Sequence, residues 1–212
     1  MIKTIDLSHI ISEEMQVFPG TDKPVVKKVF SIEKDGFMES YLTLSTHTGT
    51  HIDAPAHLIY DASTIDHFKA DTFYGKALKI DCRKQSTITS DHIKKSLNNN
   101  LIPDFIILFT GFDTWWSTEK YFGKFPVLDL RAAEHIATLP LKGIGIDALS
   151  FDPFNDHELK NHLILLRKNL ILIENLCNLA ELPDNEFKFS CYPLNIKGAD
   201  GSPVRAVGIH EL

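Results

Sequence analysis

Cysteine is scarce in this chain, with three residues among 212. Cys82, Cys177 and Cys191 are an odd number and show no C-x-x-C spacing, which argues against a disulfide framework and against a thiolate zinc site. We therefore predict that all three are small buried residues.

An excess of basic residues is also missing, because 22 lysines and arginines against 28 aspartates and glutamates give a net charge of −6. No basic stripe is visible that could neutralise a phosphate backbone, so nucleic acid is not an expected partner. Apolar runs such as Phe105–Phe109 are too short to span a bilayer, and the first residues lack the charged-then-apolar pattern of a signal peptide. We expect a cytoplasmic protein without a membrane partner.

Internal repeats, low-complexity segments and proline- or glycine-rich linkers are absent as well. Hydrophobic residues make up 43% of the chain and charged residues 24%, which is ordinary for a folded protein. A length of 212 residues fits one domain with a sizeable core. We expect residues 1–212 to form a single domain.

Short apolar segments alternate with helical patterns, which predicts a mixed α/β protein. The predicted strands are Val25 to Ser31, Tyr41 to Ser45, Ala77 to Asp81, Phe105 to Thr110, Gly143 to Ile146 and Leu170 to Ile173. The predicted helices run from Thr89 to near Asn98, from Asp129 to Thr138, and from Asp156, as N-cap, to Arg167. Near the end, residues 198–203 predict a turn between strands at 192–196 and 204–209, a hairpin with a scaffold role.

The segment His47-Thr-Gly-Thr-His51-Ile-Asp53-Ala-Pro-Ala-His57 concentrates the residues that carry chemistry. Alternate side chains of a strand point to the same face, so an extended chain would place His47, His51 and Asp53 together, with a glycine between them leaving space for an ion. A helix would also bring the first two histidines together, but the glycine, the threonines and Pro55 weaken helix formation. Pro55 should end the strand and return His57 to the same pocket.

Each of these histidines alone would be read as an ordinary polar loop residue. Three histidines and an aspartate within eleven residues favour a site instead, because buried ionisable groups need partners. Two imidazoles and a carboxylate suit zinc, manganese or iron(II), and three donors leave a coordination position open for water, as in catalytic sites. We expect Zn²⁺, with Mn²⁺ as the alternative.

The spacing H-x-G-T-H-x-D-x-P-x-H resembles the signature of the cyclase-like metal-dependent hydrolase family, most closely its bacterial kynurenine formamidase group. The resemblance implies a swivelling β/β/α fold with mixed sheets and flanking helices, and a homodimer or higher homo-oligomer. It extends over nearly the whole chain, through Ile5-Asp-Leu-Ser, Phe18-Pro-Gly20, Ile146-Asp147-Ala148, His162 with Glu174-Asn-Leu, Pro193-Leu, and Gly201-Ser-Pro-Val-Arg205.

The same resemblance implies a role for each site residue. His47, His51 and Asp53 would hold one metal ion, and Asp53 and Glu174 would bridge to a second ion that His162 also binds, so that one or two ions are expected per subunit. His57 would be the proton carrier. The residues themselves favour Glu174 as a ligand, because a carboxylate directly after an apolar strand is costly to bury without a cation; otherwise it would emerge into solvent. His162 alone would be an exposed helical histidine.

The implied reaction is hydrolysis of N-formyl-L-kynurenine to L-kynurenine and formate, with Phe18 lining the pocket for the aryl ring. A phenylalanine beside Pro-Gly is equally typical of a loop anchor in the core. The neighbouring Trp115 and Trp116 are further pocket candidates or packing residues.

Two alternatives to this reaction stay open. Leu149 stands where many formamidases have proline, and Phe151 follows it, which favours another small substrate such as an isatin-like cyclic amide or a lactone. The other alternative is a non-catalytic metal-binding member of the fold. Retention of the non-ligand His57 counts against it, because a structural zinc site is normally closed by four ligands.

Overall fold

The computed structural model describes residues 1–97 and 103–211. Thirteen strands and four α-helices lie in these two ranges, together with six short 3-10 helices. The strands are β1 (Ile2–Asp6), β2 (Val25–Phe30), β3 (Glu39–Thr43), β4 (His51–Asp53), β5 (Tyr74–Asp81), β6 (Thr87–Ile88), β7 (Phe105–Phe109), β8 (Val127–Leu128), β9 (Gly143–Ile146), β10 (Ile171–Glu174), β11 (Phe187–Ser190), β12 (Gly201–Pro203) and β13 (Val207–Glu211). The α-helices are α1 (Ile32–Asp35), α2 (Ser90–Ser96), α3 (Leu130–Ile136) and α4 (Lys160–Leu166). The 3-10 helices are Pro55–His57, Ile65–His67, Ala70–Phe73, Phe112–Trp115, Glu119–Phe122 and Leu179–Glu181.

Nine of the strands form one mixed sheet in the order β1-β13-β11-β5-β7-β9-β10-β4-β12. The four central strands β5, β7, β9 and β10 run parallel, and the strands on both sides of them pair antiparallel. Strands β2 and β3 form a separate two-stranded sheet, as do β6 and β8. The predicted mixed α/β class is confirmed.

Strands β7 and β9 are apolar along their whole length because both faces of the sheet are covered there, whereas β5 carries the exposed Lys76 and Asp81. In β7, Phe105, Ile107 and Phe109 pack into one core, while Ile106 and Leu108 pack into a second core on the opposite face. Helices α2, α3 and α4 cover the second core, and residues of β1 and β11 contribute to the first. Period-two alternation within one strand thus feeds two cores.

The six strands predicted from short apolar segments between residues 25 and 173 all form, with ends displaced by at most three residues. Two predicted helix starts are also confirmed, since the side chains of Thr89 and Asp129 each accept a hydrogen bond from a backbone N–H in the first turn of α2 and α3. The end predicted near Asn98 lies outside the described residues. Cys82, Cys177 and Cys191 are buried and unpaired, as predicted.

The predicted start of the third helix is wrong. Helix α4 begins at Lys160, and Asp156 instead accepts a hydrogen bond from the N–H of Glu158 in the preceding turn. The first-turn N–H groups of Asn161 and His162 donate to the carboxylate of Asp152, at 2.8 and 3.0 Å. A carboxylate outside the helix therefore satisfies the donors that an N-cap residue normally serves.

The predicted C-terminal hairpin is also wrong. Residues 192–196 form no strand, and one bridge between Pro193 and Val204 is all that remains of the predicted pairing in this part of the structure. Strand β12 pairs with β4 instead, about 150 residues earlier in the chain, and β13 pairs with β1 and β11. No helix in the described ranges is long and apolar enough to cross a membrane.

The close packing of β9 against β10 yields a stability prediction. A Cβ placed on Gly143 would lie 2.5 Å from Ile171 Cγ1 and 2.6 Å from the Ile171 carbonyl oxygen, and the backbone atom cannot move aside. We expect Gly143→Ala to lower the free energy of unfolding by about 1–3 kcal/mol, as overpacking of a core typically does. Denaturant unfolding measures the change. The exposed α3 variant Glu134→Ala should stay within about 0.5 kcal/mol of wild type, and an equal effect of both variants would contradict the prediction.

Candidate metal centre

Strand β4 places two of the predicted site residues opposite partners that come from distant parts of the chain. Its antiparallel pairing with β10 sets His51 opposite Glu174, and its pairing with β12 sets Asp53 opposite Gly201. His51, Asp53 and Glu174 are all buried. The sheet order therefore brings together the segment 47–57, the end of β10 and the start of β12.

The approach of His47 differs from the sequence-based expectation. The predicted alternation along a strand holds only for His51–Asp53, because residues 46–50 form a turn. Gly49 has φ +63°, a left-handed conformation that favours glycine, and a Cβ there would lie 3.1 Å from Met15 Cε. Gly49 thus permits the turn that brings His47 towards Asp53, rather than leaving space for an ion.

The predicted ligands surround the carboxylate of Asp53. Asp53 Oδ1 lies 2.7 Å from His47 Nδ1 and 3.2 Å from His51 Nε2, while Oδ2 lies 3.6 Å from His162 Nε2. Glu174 closes the other side, with Oε1 at 3.0 Å from His162 Nε2 and Oε2 at 3.6 Å from His51 Nε2. The structure therefore brings all five of these residues together, with one oxygen of Asp53 towards each side of the cluster.

Two overlapping sets of donor atoms lie close enough to hold a metal ion. His47, Asp53 and His57 form one set, and His51, Asp53 and Glu174 form the other; within each, the donor atoms lie within 4.8 Å of one another. Nitrogen and oxygen donors of this kind suit zinc and manganese. Asp53 belongs to both sets, so the cluster fits one ion or a pair that shares this carboxylate.

In the described ranges, the buried carboxylates of the cluster, Asp53 and Glu174, have no lysine or arginine within salt-bridge distance to balance their charge. Burial alone would raise the pKa of Asp53, but the charge of His51 and the hydrogen bonds from His162 and His47 hold that pKa well below its usual range. Removing an ionised carboxylate from water costs several kcal/mol unless a cation compensates, so the donor set fits a divalent ion.

The same carboxylates shift the pKa values of the imidazoles. Burial by itself lowers the pKa of His47, but hydrogen bonds to Asp200 and Asp53 outweigh it and raise the pKa to about 10. Burial also opposes protonation of His162, and the hydrogen bonds to Asp152, Asp53 and Glu174 raise its pKa well above the usual value. Protonation of these rings would supply part of the positive charge that the carboxylates require.

Neighbouring polar groups fix the orientation of two of the rings. Asp152 Oδ2 accepts from His162 Nδ1 at 2.6 Å, which leaves Nε2 directed at Asp53 and Glu174. The carbonyl of Gly49 accepts from His51 Nδ1 at 2.8 Å, and Asn175 Nδ2 donates to the same carbonyl at 3.0 Å. Such partners hold metal-binding imidazoles in the correct tautomer and orientation.

His57 reaches the site through the 3-10 helix that Pro55 begins, as expected from the proline. Its ring centroid lies 4.2 Å from that of His47, and its Nδ1 lies 3.2 Å from Asp200 Oδ2. The same oxygen lies 2.9 Å from His47 Nε2. The hydrogen bond from His47 lowers the pKa of Asp200 below its usual range.

Asp200 was missed by sequence reasoning, which assigned its segment to a scaffold hairpin. That assignment is corrected by the contacts of its carboxylate with His47 and His57. The signal available in the sequence was an acidic residue directly before Gly201, but Asp-Gly is also a common turn dipeptide. The pairing of β12 with β4 is what shows that Asp200 lies at the site and not in a hairpin turn.

A cavity of about 320 Å³ opens beside the cluster. Phe18, Trp116, Tyr121 and Phe122 provide aromatic walls, and Leu149 also lines the space. Phe18 is 53% exposed, so it is not an anchor in the core. No lysine or arginine of the described residues lines this cavity.

The residues behind this wall form a packed layer. Trp116 stacks on His9 with ring centroids 3.8 Å apart, whereas Trp115 is 40% exposed and has Lys120 above its ring. Phe151 is fully buried and packs edge-on against His162. Of the two adjacent tryptophans, Trp116 is therefore the pocket residue.

Known proteins are similar to this chain in both sequence and fold. The family model described as "Putative cyclase" matches residues 5–153. A kynurenine formamidase of Bacillus cereus (strain ZK / E33L) is 31% identical over 205 residues, which cover 96% of this chain and 95% of the relative.

Two solved structures have the same fold. An isatin hydrolase bound to the product analogue thioisatinate superposes with a TM-score of 0.89 at 24% identity, covering 100% of this chain and 93% of its own. A predicted metal-dependent hydrolase from Bacillus stearothermophilus superposes with a TM-score of 0.82 at 25% identity and full coverage of both chains. Because the family model spans more than half of the sequence and the Bacillus cereus relative nearly all of it, this chain belongs to the cyclase family of metal-dependent hydrolases.

Proposed function

We propose that this protein hydrolyses the amide bond of a small aryl-substituted substrate, and that N-formyl-L-kynurenine is converted to L-kynurenine and formate. The observation that carries the proposal is the cluster of imidazoles and carboxylates at the base of a cavity with aromatic walls. The 31% identity to a kynurenine formamidase across nearly the whole chain supports the choice of substrate. Residues 1–212 act as one domain, and the enzyme works as a homodimer or higher homo-oligomer; these two statements and the cytoplasmic location remain predictions from the sequence.

In the proposed metal site, His47, His51 and Asp53 hold one ion, while Asp53, Glu174 and His162 hold a second where two are present. Zn²⁺ is the preferred ion and Mn²⁺ the alternative. The distances of 2.7–3.6 Å between imidazole nitrogens and carboxylate oxygens support this assignment. A divalent ion supplies Lewis acidity, which makes water a nucleophile near neutral pH and polarises the substrate carbonyl.

His57 carries the proton in this proposal. A water molecule must lose a proton as its oxygen attacks the formyl carbon, and the leaving nitrogen must gain one as the C–N bond breaks. An imidazole that accepts the first proton and donates it in the second step balances both. The position of His57 beside His47, with ring centroids 4.2 Å apart, supports this role because it places the carrier next to the proposed ion.

The aromatic walls of the cavity are proposed to hold the aryl ring of the substrate. Phe18 is proposed as the residue that stacks on this ring, and its exposure of 53% leaves its face available. Phe154 supports Phe18 from behind, with ring centroids 5.7 Å apart. Orientation of the ring by this wall would direct the formyl group towards the carboxylate cluster.

A second candidate substrate is an uncharged cyclic amide such as isatin, or a lactone. Two observations favour it: Leu149 makes part of the cavity wall apolar, and no lysine or arginine of the described residues lines the cavity to pair with a substrate carboxylate. The α-carboxylate of N-formylkynurenine must then rely on neutral donors such as Gln16 and Ser150, which also line the cavity.

A substrate panel tests the proposed reaction. We expect the protein loaded with zinc or manganese to release formate from N-formylkynurenine, and the metal-stripped protein to lose this activity. Metal content should be measured on the same preparation. Turnover of isatin or a lactone without turnover of N-formylkynurenine would contradict the first candidate in favour of the second, and full metal content without any turnover would indicate a non-catalytic member of the fold.

Removal of the shared carboxylate tests the metal site. We expect Asp53→Asn to lower metal affinity by at least about 100-fold, because replacing even an outer partner of a metal ligand typically costs 10- to 100-fold. Elemental analysis and calorimetric titration measure the loss. Asp71→Asn, which changes an exposed carboxylate within the 3-10 helix Ala70–Phe73, is the control and should bind like wild type. Full occupancy in Asp53→Asn would remove Asp53 from the ligand set.

Replacement of the proton carrier tests the mechanism. We expect His57→Ala to retain its metal while kcat falls by about 10²- to 10⁴-fold, the usual range for loss of a general acid and base. His67→Ala is the matched control, since His67 also ends a 3-10 helix but is exposed and lies outside the cavity. An unchanged kcat in His57→Ala would refute the role.

A further inference from the structure

Asp200 contacts both His47 and His57 through a single oxygen. Its Oδ2 lies 2.9 Å from His47 Nε2 and 3.2 Å from His57 Nδ1. The second oxygen, Oδ1, accepts a hydrogen bond from Thr46 Oγ1 at 2.9 Å. The carboxylate therefore links one proposed metal ligand to the proposed proton carrier.

The backbone around Asp200 is held by pairing with the motif segment itself. The carbonyl of Asp200 accepts from the N–H of Ala54 at 2.8 Å, and Gly201 pairs with Asp53. A Cβ on Gly201 would lie 2.9 Å from His47 Cε1 and 2.7 Å from the Ile52 carbonyl oxygen, so a glycine is needed for the close approach of the His47 ring. Asp200 is thus placed by the sheet and not by a free loop.

We propose that Asp200 is a positioning residue, which accepts hydrogen bonds from His57 Nδ1–H and His47 Nε2–H and thereby sets the tautomer of both rings. The inference rests on the proposed function of this site. It assigns a purpose to a residue outside the eleven-residue motif.

A neutral imidazole has one N–H group, and the nitrogen that lacks it is the one that can accept a proton or bind a metal. Donation from His57 Nδ1 leaves Nε2 free to exchange a proton with water and the leaving group. Donation from His47 Nε2 leaves Nδ1, which faces Asp53 Oδ1 at 2.7 Å, as the metal-binding atom. One acceptor therefore prepares both rings for their different tasks.

The chemistry uses the negative charge of the carboxylate as well as its lone pairs. One amide oxygen could also accept two hydrogen bonds, so an asparagine in the same place could keep both contacts but would carry no charge. When His57 takes up a proton, an anion hydrogen-bonded to its far nitrogen also stabilises the imidazolium, as in other carboxylate–histidine pairs. Asp200 is 40% exposed in its side chain, so this stabilisation is moderated by solvent.

The test compares Asp200→Ala, which removes the acceptor oxygens, with Asp66→Ala. Asp66 Oδ1 accepts from the N–H of Gly198 at 3.0 Å, so it holds the same segment of chain but touches neither histidine of the pair. We expect Asp200→Ala to lower kcat at saturating metal on the order of 10- to 100-fold and to weaken metal binding, as loss of an orienting partner does. Asp66→Ala should keep both values at wild-type level.

A double variant separates positioning from a general structural effect. If Asp200 acts through His57, adding Asp200→Ala to His57→Ala should lower kcat by less than about twofold at saturating metal, because the two changes remove one function. Losses that multiply in the double variant would overturn the link to His57.

Nitrogen-15 NMR of the metal-free protein gives a readout that does not depend on activity. At a pH where the His57 ring is neutral, it should carry its proton on Nδ1 in wild type and Asp66→Ala, and shift towards the Nε2–H form in Asp200→Ala. A wild-type His57 in the Nε2–H form would overturn the inference, even if Asp200→Ala fails to fold. If wild type hydrolyses its substrate while Asp200→Ala matches it in tautomer, metal affinity and kcat, only the role of Asp200 is lost; absence of metal binding in wild type would instead defeat the proposed function.

Discussion

The buried carboxylate of Asp53 is the interaction on which the centre depends. It contacts His47, His51 and His162, and without a basic side chain within reach in the described ranges it must be balanced by protons on these rings or by a cation. The pKa of His47 is raised to about 10, which determines how the stability of the folded state depends on pH. Protonated His47 stabilises the folded state fully below its unfolded pKa of about 6.5, and that contribution is lost as the pH rises through about 10. A bound cation would take over the same electrostatic role at the higher pH.

The residues that surround Asp53 come from distant parts of the sequence, and the sheet topology brings them together. Strand β4 is only three residues long, yet its two neighbours come from the ends of separate segments far along the chain. β10 supplies Glu174 and β12 brings Asp200 to the rim, while α4 presents His162 from the layer that covers the second core. The parallel central strands therefore support the site, and the proposed site residues lie at the antiparallel edge formed by β4 and β12.

The sequence predicted those parts of the site that depend on local chemistry or on the family pattern. The grouping of His47, His51 and Asp53 followed from residue types, and Pro55 correctly returned His57. The strand expected through residues 47–53 was wrong in its first half, because a left-handed glycine turns the chain there. The helix start at Asp156 failed because Asp152, four residues earlier, accepts from the first-turn N–H groups of α4. The C-terminal hairpin failed because the distant strand β4 pairs with β12. Strands β4 and β12 lie about 150 residues apart, and neither segment has a periodic pattern that predicts their pairing.

The choice of substrate is coupled to the number of ions in the centre. Asp53 and Glu174 face the proposed ions, and Asp152 and Asp200 lie against the imidazoles, so one divalent ion leaves net negative charge on these four carboxylates, while two divalent ions balance it. Because no lysine or arginine of the described residues lines the cavity, a substrate carboxylate would depend on the proposed ions and on neutral donors such as Gln16 and Ser150. A one-ion centre accordingly favours an uncharged cyclic amide held by the aromatic wall. A two-ion centre can also hold an amino-acid substrate, provided that its ammonium group stays near the solvated rim, where the carboxylate of Asp200 is 40% exposed. The identity of the substrate is thus as much a property of the carboxylate cluster as of the aromatic wall.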